Sequence, residues 1–186
     1  MPRIIVLDNL SQDGLDLLGA AGNIEYEVRT GLKGDSLRDA LAEFDGAICR
    51  SGVKITAEVL RGNPRLRAIA RAGVGTANSD KEAATRQGIV VMNTPGGNTV
   101  TTAEFTITLL LALSRHVHPA YQALIEGRWD RKKFMGSQVA GKTLGIIGLG
   151  RIGQAVVVRA LGLGMHVLGF DPFLPPDRAR HLGITS

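Results

Sequence analysis

Three glycines at positions 148, 150 and 153, followed by an acid at 171, are the residues of this chain whose types and spacing most directly suggest chemistry. Leu144 to Ile147 reads as a short buried strand running into Gly-x-Gly-x-x-Gly, and residues 151 to 164 carry helical spacing. A second apolar strand, His166 to Phe170, ends on Asp171. Gly148 permits a tight turn, Gly150 lets backbone approach a pyrophosphate, and Gly153 lets helix and strand pack together. The helix N-terminus then offers unpaired N–H groups to the anion. An acid about twenty residues past the loop suits hydrogen bonds to both hydroxyls of an adenine ribose. Its charge would repel a 2′-phosphate, so the expected cofactor is NAD rather than NADP. The plainer alternative is a glycine-rich turn that only packs a helix on a sheet. Strand, loop, helix, strand and terminal acid all fall in the required order, which favours the cofactor.

Before this segment, short β-rich runs alternate with helix-like stretches five times. The apolar runs are 4–7, 24–28, 47–49, 67–70 and 89–92, and helices are expected near 11–20, 36–43, 56–61 and 80–87. Such alternation predicts parallel strands joined by right-handed crossovers in an open α/β sheet, whose ligands sit at the carboxyl ends of strands. Three strand ends are informative. Arg50-Ser51-Gly52-Val53-Lys54-Ile55-Thr56 holds two cations, a hydroxyl and a glycine before a helix. It could grip a carboxylate or phosphate, or be a plain turn with solvated charges and Thr56 as N-cap. Arg71-Ala72-Gly73-Val74-Gly75-Thr76-Ala77-Asn78 could expose glycine amides to an anion, or simply turn. Asn93 to Asn98 forms a loop that also serves as a boundary. The expected division is a substrate-binding domain over 1–98, then a bridging helix and nucleotide domain over 99–186.

Thr101 to Glu104 has the capping-box pattern and leads into Phe105 to Leu113, apolar almost all round, which predicts a buried helix. Pro119 is expected to interrupt that helix or begin the next one, and Gly127 to end it. Trp129 reads as a core or interface anchor. His116 and His118, two apart, do not share a helical face, so no metal site is expected there. The nucleotide half reads as unfinished: two strands, a helical stretch near 176–182, and a third strand starting at Gly183.

Composition narrows the function classes. The chain has 186 residues, 44% hydrophobic, enough for one ordinary domain or two small ones. Its net charge of +5 lies entirely after residue 98, where ten basic residues face five acidic ones; the first 98 residues hold twelve of each. One basic run, Arg128 to Lys133, could suggest nucleic acid, but aromatics are only 4% and no helix carries a basic stripe. No nucleic-acid partner is expected. No apolar run approaches the roughly 18 residues of a membrane span, so no membrane partner is expected either. A single cysteine, Cys49, excludes an internal disulfide framework and fits a reducing cytoplasm.

Taken together, these segments resemble the D-isomer-specific 2-hydroxyacid dehydrogenases over essentially the whole chain. The resemblance is carried by 50–56, 71–75, Gly88 to Asn98 and the glycine loop. The run Gly127-Arg128-Trp129-Asp130-Arg131-Lys132-Lys133-Phe134-Met135-Gly136 looks like the family's phosphoglycerate branch. It implies a flavodoxin-like parallel-sheet substrate domain followed by the first half of a Rossmann NAD domain. It also implies a small anionic 2-hydroxy acid as substrate and a homo-oligomer, dimer or tetramer, in the intact enzyme. Arg50 and Asn98 match substrate-contacting positions, with Ser51 and Gly52 beside them, and the backbone of Val74 and Gly75 matches the carboxylate-receiving loop. Arg151 and Ile152 match the pyrophosphate-facing dipeptide alongside Gly148, Gly150 and Gly153, and Asp171 matches the ribose acid. The family's catalytic histidine, its carboxylate partner and its substrate-orienting arginine have no match here, and neither His166 nor His181 fits the role. No catalytic residue is therefore assigned, and no turnover is expected from this chain alone. Thr76, Ala77 and Ser79 depart from the residues more usual in the family. Alternatives are a dehydrogenase for glyoxylate or lactate-like acids, or a non-catalytic NAD-binding interaction module.

Overall fold

In the computed structural model, residues 1–175, 183 and 184 are described. The chain divides into two units, Met1–Gly97 and Asn98–Ser186.

The first unit contains β1 (Arg3–Val6), α1 (Gln12–Ala20), β2 (Glu25–Val28), α2 (Gly34–Leu41) and β3 (Gly46–Cys49). It continues with α3 (Ala57–Leu60), β4 (Ala68–Arg71), α4 (Lys81–Arg86) and β5 (Val90–Asn93). All pairings are parallel, in the order β2-β1-β3-β4-β5, the flavodoxin-like order expected of an open α/β sheet. Position in that order decides composition. The inner strands bury Ile5, Val6, Ala47, Cys49 and Ile69, whereas the edge strands leave Tyr26, Val28, Val90 and Met92 exposed. Phe44, Leu37, Leu41, Ile55 and Leu60 complete the core. Two short helices start on side-chain caps that fix where the loops before them end: Thr56 accepts the Val59 amide, and Asp80 accepts the Ala83 amide.

The second unit contains α5 (Thr99–Ser114), α6 (Val117–Ile125), a 3₁₀ turn (Arg131–Phe134), β6 (Thr143–Ile147), α7 (Arg151–Gly162) and β7 (His166–Phe170). Strands β6 and β7 pair in parallel across α7, with Thr143 opposite His166 and Ile147 opposite Phe170. This βαβ unit opens a Rossmann domain. Its core joins Ala103 and Ile107 of α5 to Val156, Val157 and Ala160 of α7 and Val167 of β7. The helical stretch expected near 176–182 lies outside the described residues, as do positions 185 and 186 of the strand expected from 183; Ile184 is buried in this core.

Four expectations need correction or refinement. Helix α5 begins at Thr99 with Asn98 at its N-cap, so Thr101 lies inside the first turn and donates to the Asn98 carbonyl. Glu104 pairs with Arg159 of α7 at 3.1 Å instead of closing a capping box. Nor is α5 buried all round. One face packs on α7, while Phe105, Leu109 and Leu113 are 63%, 54% and 77% exposed. Trp129 is 74% exposed and belongs to no core among the described residues. Pro119 stands in the first turn of α6, where its missing N–H costs no helical hydrogen bond, and Gly127 ends that helix at φ +77°.

Candidate functional site

The loop between β6 and α7 is built to keep amides open. Gly148 has φ +91°, a conformation that a side chain would strain. A Cβ on Gly148 or Gly150 would meet nothing within 4 Å, so the face of the loop is free for a ligand. At Gly153 a Cβ would run into the Gly148 carbonyl, so only glycine lets α7 start so close to the loop. Gly150 is the N-cap and provides no side-chain cap. Among the described residues, the amides of Gly150, Arg151, Ile152 and Gly153 have no acceptor, and the first helical bond is from Gln154 to the Gly150 carbonyl. Such a cluster can receive an anion. The exposed side chain of Arg151 adds a cation beside it.

Asp171 closes the same site. Its carboxylate accepts the Leu149 amide at 2.7 Å and the Phe173 amide at 2.8 Å. These bonds, that from Phe173 foremost, hold its pKa below the ordinary carboxylate value. Each carboxylate oxygen keeps a lone pair for a hydroxyl donor. The residues present therefore fit a dinucleotide: amides for the diphosphate and a fixed anion for the adjoining ribose. Arg151, Ile152 and the three glycines lie together with Asp171 around one loop.

In the first unit, Arg50, Ser51 and Gly52 follow β3, and Val74 and Gly75 follow β4, both at carboxyl ends of adjacent strands. The Arg50 side chain is exposed and reaches the Asn9 carbonyl at 3.4 Å. Its amide donates to the Asp8 carboxylate at 2.5 Å. Gly52 owes its identity to that same carboxylate, because a Cβ there would strike Asp8 Oδ1. The Val74 carbonyl accepts from Asn93 Nδ2 at 2.6 Å, and the Gly75 carbonyl accepts from the Arg71 guanidinium. Asn78 Nδ2 donates at 2.8 Å to both the Arg50 and Val53 carbonyls. Asp8, Arg71, Asn78 and Asn93 thus fix these loops; the last three lie in the stretches 71–78 and 93–98 that the sequence marks, but nothing in the sequence marks their side chains as the ties. The one signal for Asp8 was an acid at the carboxyl end of a strand.

Beside Gly52 a concavity of about 530 Å³ is lined by Lys33, Lys54 and Arg61, and by Arg38 with Asp35 and Glu58. Arg38 pairs with Asp35 at 3.0 Å. Among the described residues Lys33, Lys54 and Arg61 enter no ion pair, so this wall is cationic. Asn98 belongs to the second unit, at the N-cap of α5, and its side chain makes no capping bond.

The sequence pattern of the catalytic domain of D-isomer specific 2-hydroxyacid dehydrogenases matches residues 4–180. The chain belongs to this family. It is 44% identical over 184 residues to the D-3-phosphoglycerate dehydrogenase of Methanocaldococcus jannaschii, an overlap that covers 99% of this chain and 35% of that protein. It spans about a third of the length of the curated relatives it matches. A crystal structure of a protein from Thermus thermophilus superposes with a TM-score of 0.83 at 37% identity, over 94% of this chain and 57% of that one. The NAD-dependent formate dehydrogenase of Staphylococcus aureus, solved in complex with NAD, gives 0.77 at 26% identity, over 93% and 57%. Among the described residues no helix is long and apolar enough to cross a membrane, and no cluster of three metal-ligating side chains occurs.

Proposed function

We propose that this chain carries the substrate-binding part and the first half of the cofactor-binding part of an NAD-dependent D-3-phosphoglycerate dehydrogenase. The enzyme would oxidise 3-phospho-D-glycerate to 3-phosphohydroxypyruvate. The observation that carries the cofactor half is the open amide cluster of Gly150 to Gly153 with the Asp171 carboxylate anchored on the same loop. Bound NAD would supply the hydride acceptor. The loop amides and Arg151 would neutralise its diphosphate, and Asp171 would hold the adenosine ribose and discourage a 2′-phosphate.

The relatives named for 3-phosphoglycerate support the substrate, as do the cations around the first unit's strand ends. Arg50 suits bidentate contact with an oxyanion, Ser51 and Gly52 present the loop beside it, and Lys54 adds a point charge that an unphosphorylated acid would not need. The backbone of Val74 and Gly75 would receive the substrate carboxylate, and Asn98 is a further substrate-contacting position that the family resemblance implies. These residues would bind and orient the substrate, and the family resemblance assigns none of them the abstraction of a proton. No appreciable turnover is expected from this chain alone. The exposed apolar faces of α5 and α6 support a homo-oligomer. The single buried thiol, Cys49, suits a reducing cytoplasm.

Isothermal titration of the purified chain with NAD, NADP and 3-phosphoglycerate tests this reading. NAD is expected to bind more tightly than NADP, and Arg50→Gln to weaken 3-phosphoglycerate without affecting NAD. Uptake of neither NAD nor 3-phosphoglycerate would overturn it.

A further inference from the structure

Asn78 lies on the loop after β4, 28 residues from Arg50, and its side chain ties that loop to the one after β3. Its two amide hydrogens are used on the Arg50 and Val53 carbonyls, both at 2.8 Å from Nδ2. On the other side of the same arginine, the Asp8 carboxylate holds the Arg50 amide at 2.5 Å. Both backbone polar groups of Arg50 are therefore fixed by side chains from two different loops. Asn78 is itself fixed: its backbone carbonyl accepts the Ile55 amide at 2.8 Å, and the Asp80 amide returns to the Ile55 carbonyl at 2.9 Å.

Stability alone does not account for an asparagine here. Its Oδ1 is buried with no partner among the described residues. An orphaned buried acceptor of this kind is destabilising. What the carboxamide achieves is a fixed relation between Arg50 and the Val74–Gly75 backbone carried on its own loop.

We infer that Asn78 is a positioning residue for substrate, acting through Arg50: it sets the distance between the group that grips the anionic end of a phosphorylated hydroxy acid and the loop that takes its carboxylate. The inference rests on the substrate reading above. It goes further by assigning the spacing between the two anion-holding elements to one side chain that would not touch the ligand.

A double-mutant cycle on the 186-residue chain, with 3-phosphoglycerate as titrant and melting temperature as the control, tests it. Asn78→Ala is expected to weaken affinity by about tenfold when Arg50 is present and by less than about twofold in an Arg50→Gln background. Its melting temperature should fall by the same amount in both backgrounds. Asn78→Ser keeps one donor, should lose about threefold, and stands in if the alanine variant does not fold. Without ligand, hydrogen exchange at the Arg50 and Ile55 amides, which are bonded to Asp8 and to the Asn78 carbonyl, should quicken in the Asn78 variants while β3 is unchanged. An equal affinity loss in both backgrounds, no loss in the first, or unchanged exchange each overturns the inference. If Arg50→Gln itself leaves affinity intact, the substrate reading has failed and the positioning role falls with it.

Discussion

The Asp171 carboxylate accepts the Leu149 amide at 2.7 Å across 22 residues of sequence. The end of β7 and the turn after β6 are therefore tied together, and the acid that we propose for the ribose is fixed relative to the amides proposed for the diphosphate. Neither the glycine spacing nor the acid alone achieves this; the hydrogen bond between them does.

That bond makes Asp171 a test of both affinity and cofactor choice. Asp171→Ser removes the charge, and the shorter hydroxyl no longer reaches both amides. NAD affinity should fall about tenfold while NADP loses far less, so the preference narrows or reverses. Titration calorimetry with the two cofactors checks this. Because the backbone donors lower the pKa of Asp171, the group stays ionised down past the ordinary carboxylate range. NAD binding should accordingly show no pH dependence from Asp171 between about pH 5 and 8.

Gly153 and Gly145 are both glycines of the βαβ unit, yet substitution should separate them. A Cβ at 153 collides with the Gly148 carbonyl, whereas one at 145 meets nothing within 4 Å. Gly153→Ala should cost about 1–3 kcal/mol, the usual penalty for forcing extra volume into a packed contact. Gly145→Ala should be neutral or add up to about 1 kcal/mol, since glycine is entropically poor in a strand. Urea midpoints of the two variants check the contrast.

These glycines also show what was legible in the sequence. Local patterns were: the five apolar runs became five strands, displaced by no more than a residue at most ends, because strand chemistry is written in adjacent residues. The glycine loop between β6 and α7 was legible for the same reason. Three-dimensional pairings were not. The Asp8–Arg50–Asn78 arrangement joins positions 42 and 28 residues apart, and no spacing rule links them. Helix α5 misled in a different way. Thr101 and Glu104 stand at capping-box spacing, but Asn98 already starts the helix and Arg159 draws Glu104 across to α7. The continuous apolarity of α5 reflects two faces of different fate, one on α7 and one exposed.

Asp45 gives the first unit a defined acid response. Arg65 grips its carboxylate through Nε at 3.0 Å and Nη2 at 3.1 Å, and the Arg3 amide adds a bond at 2.7 Å. The Arg65 guanidinium chiefly, then the Arg3 amide, lowers the pKa to about 2 from an ordinary 3.8. A depressed carboxylate pKa means the folded state binds its proton less readily than the unfolded state. Its contribution is therefore complete above pH 3.8 and disappears as pH falls towards 2. Arg65→Gln should flatten that limb by lowering stability above about pH 4, by an amount that the partial exposure of the pair keeps small, while stability near pH 2 stays unchanged. Urea denaturation at about pH 2 to 6 measures it, and an unchanged acid limb in the variant would remove Asp45 from the account.

The uncovered side of α5 should make this chain self-associate. Phe105, Leu109 and Leu113 recur every four residues on one helical face, and Val117, Tyr121, Leu124 and Ile125 extend the exposed apolar surface along α6. Exposed apolar side chains gathered on one helical face mark an interaction surface. A second copy is the simplest cover, since a two-fold pairing buries the same stripe on both chains. Sedimentation should show dimers or larger closed species at tens of micromolar. The double variant Leu109→Lys/Leu113→Lys should be monomeric with its melting point in dilute solution unchanged, because neither side chain belongs to the core on α7. A variant that stayed dimeric would place the interface elsewhere, whereas one that lost its fold as a monomer would show that these leucines already serve the chain's own packing.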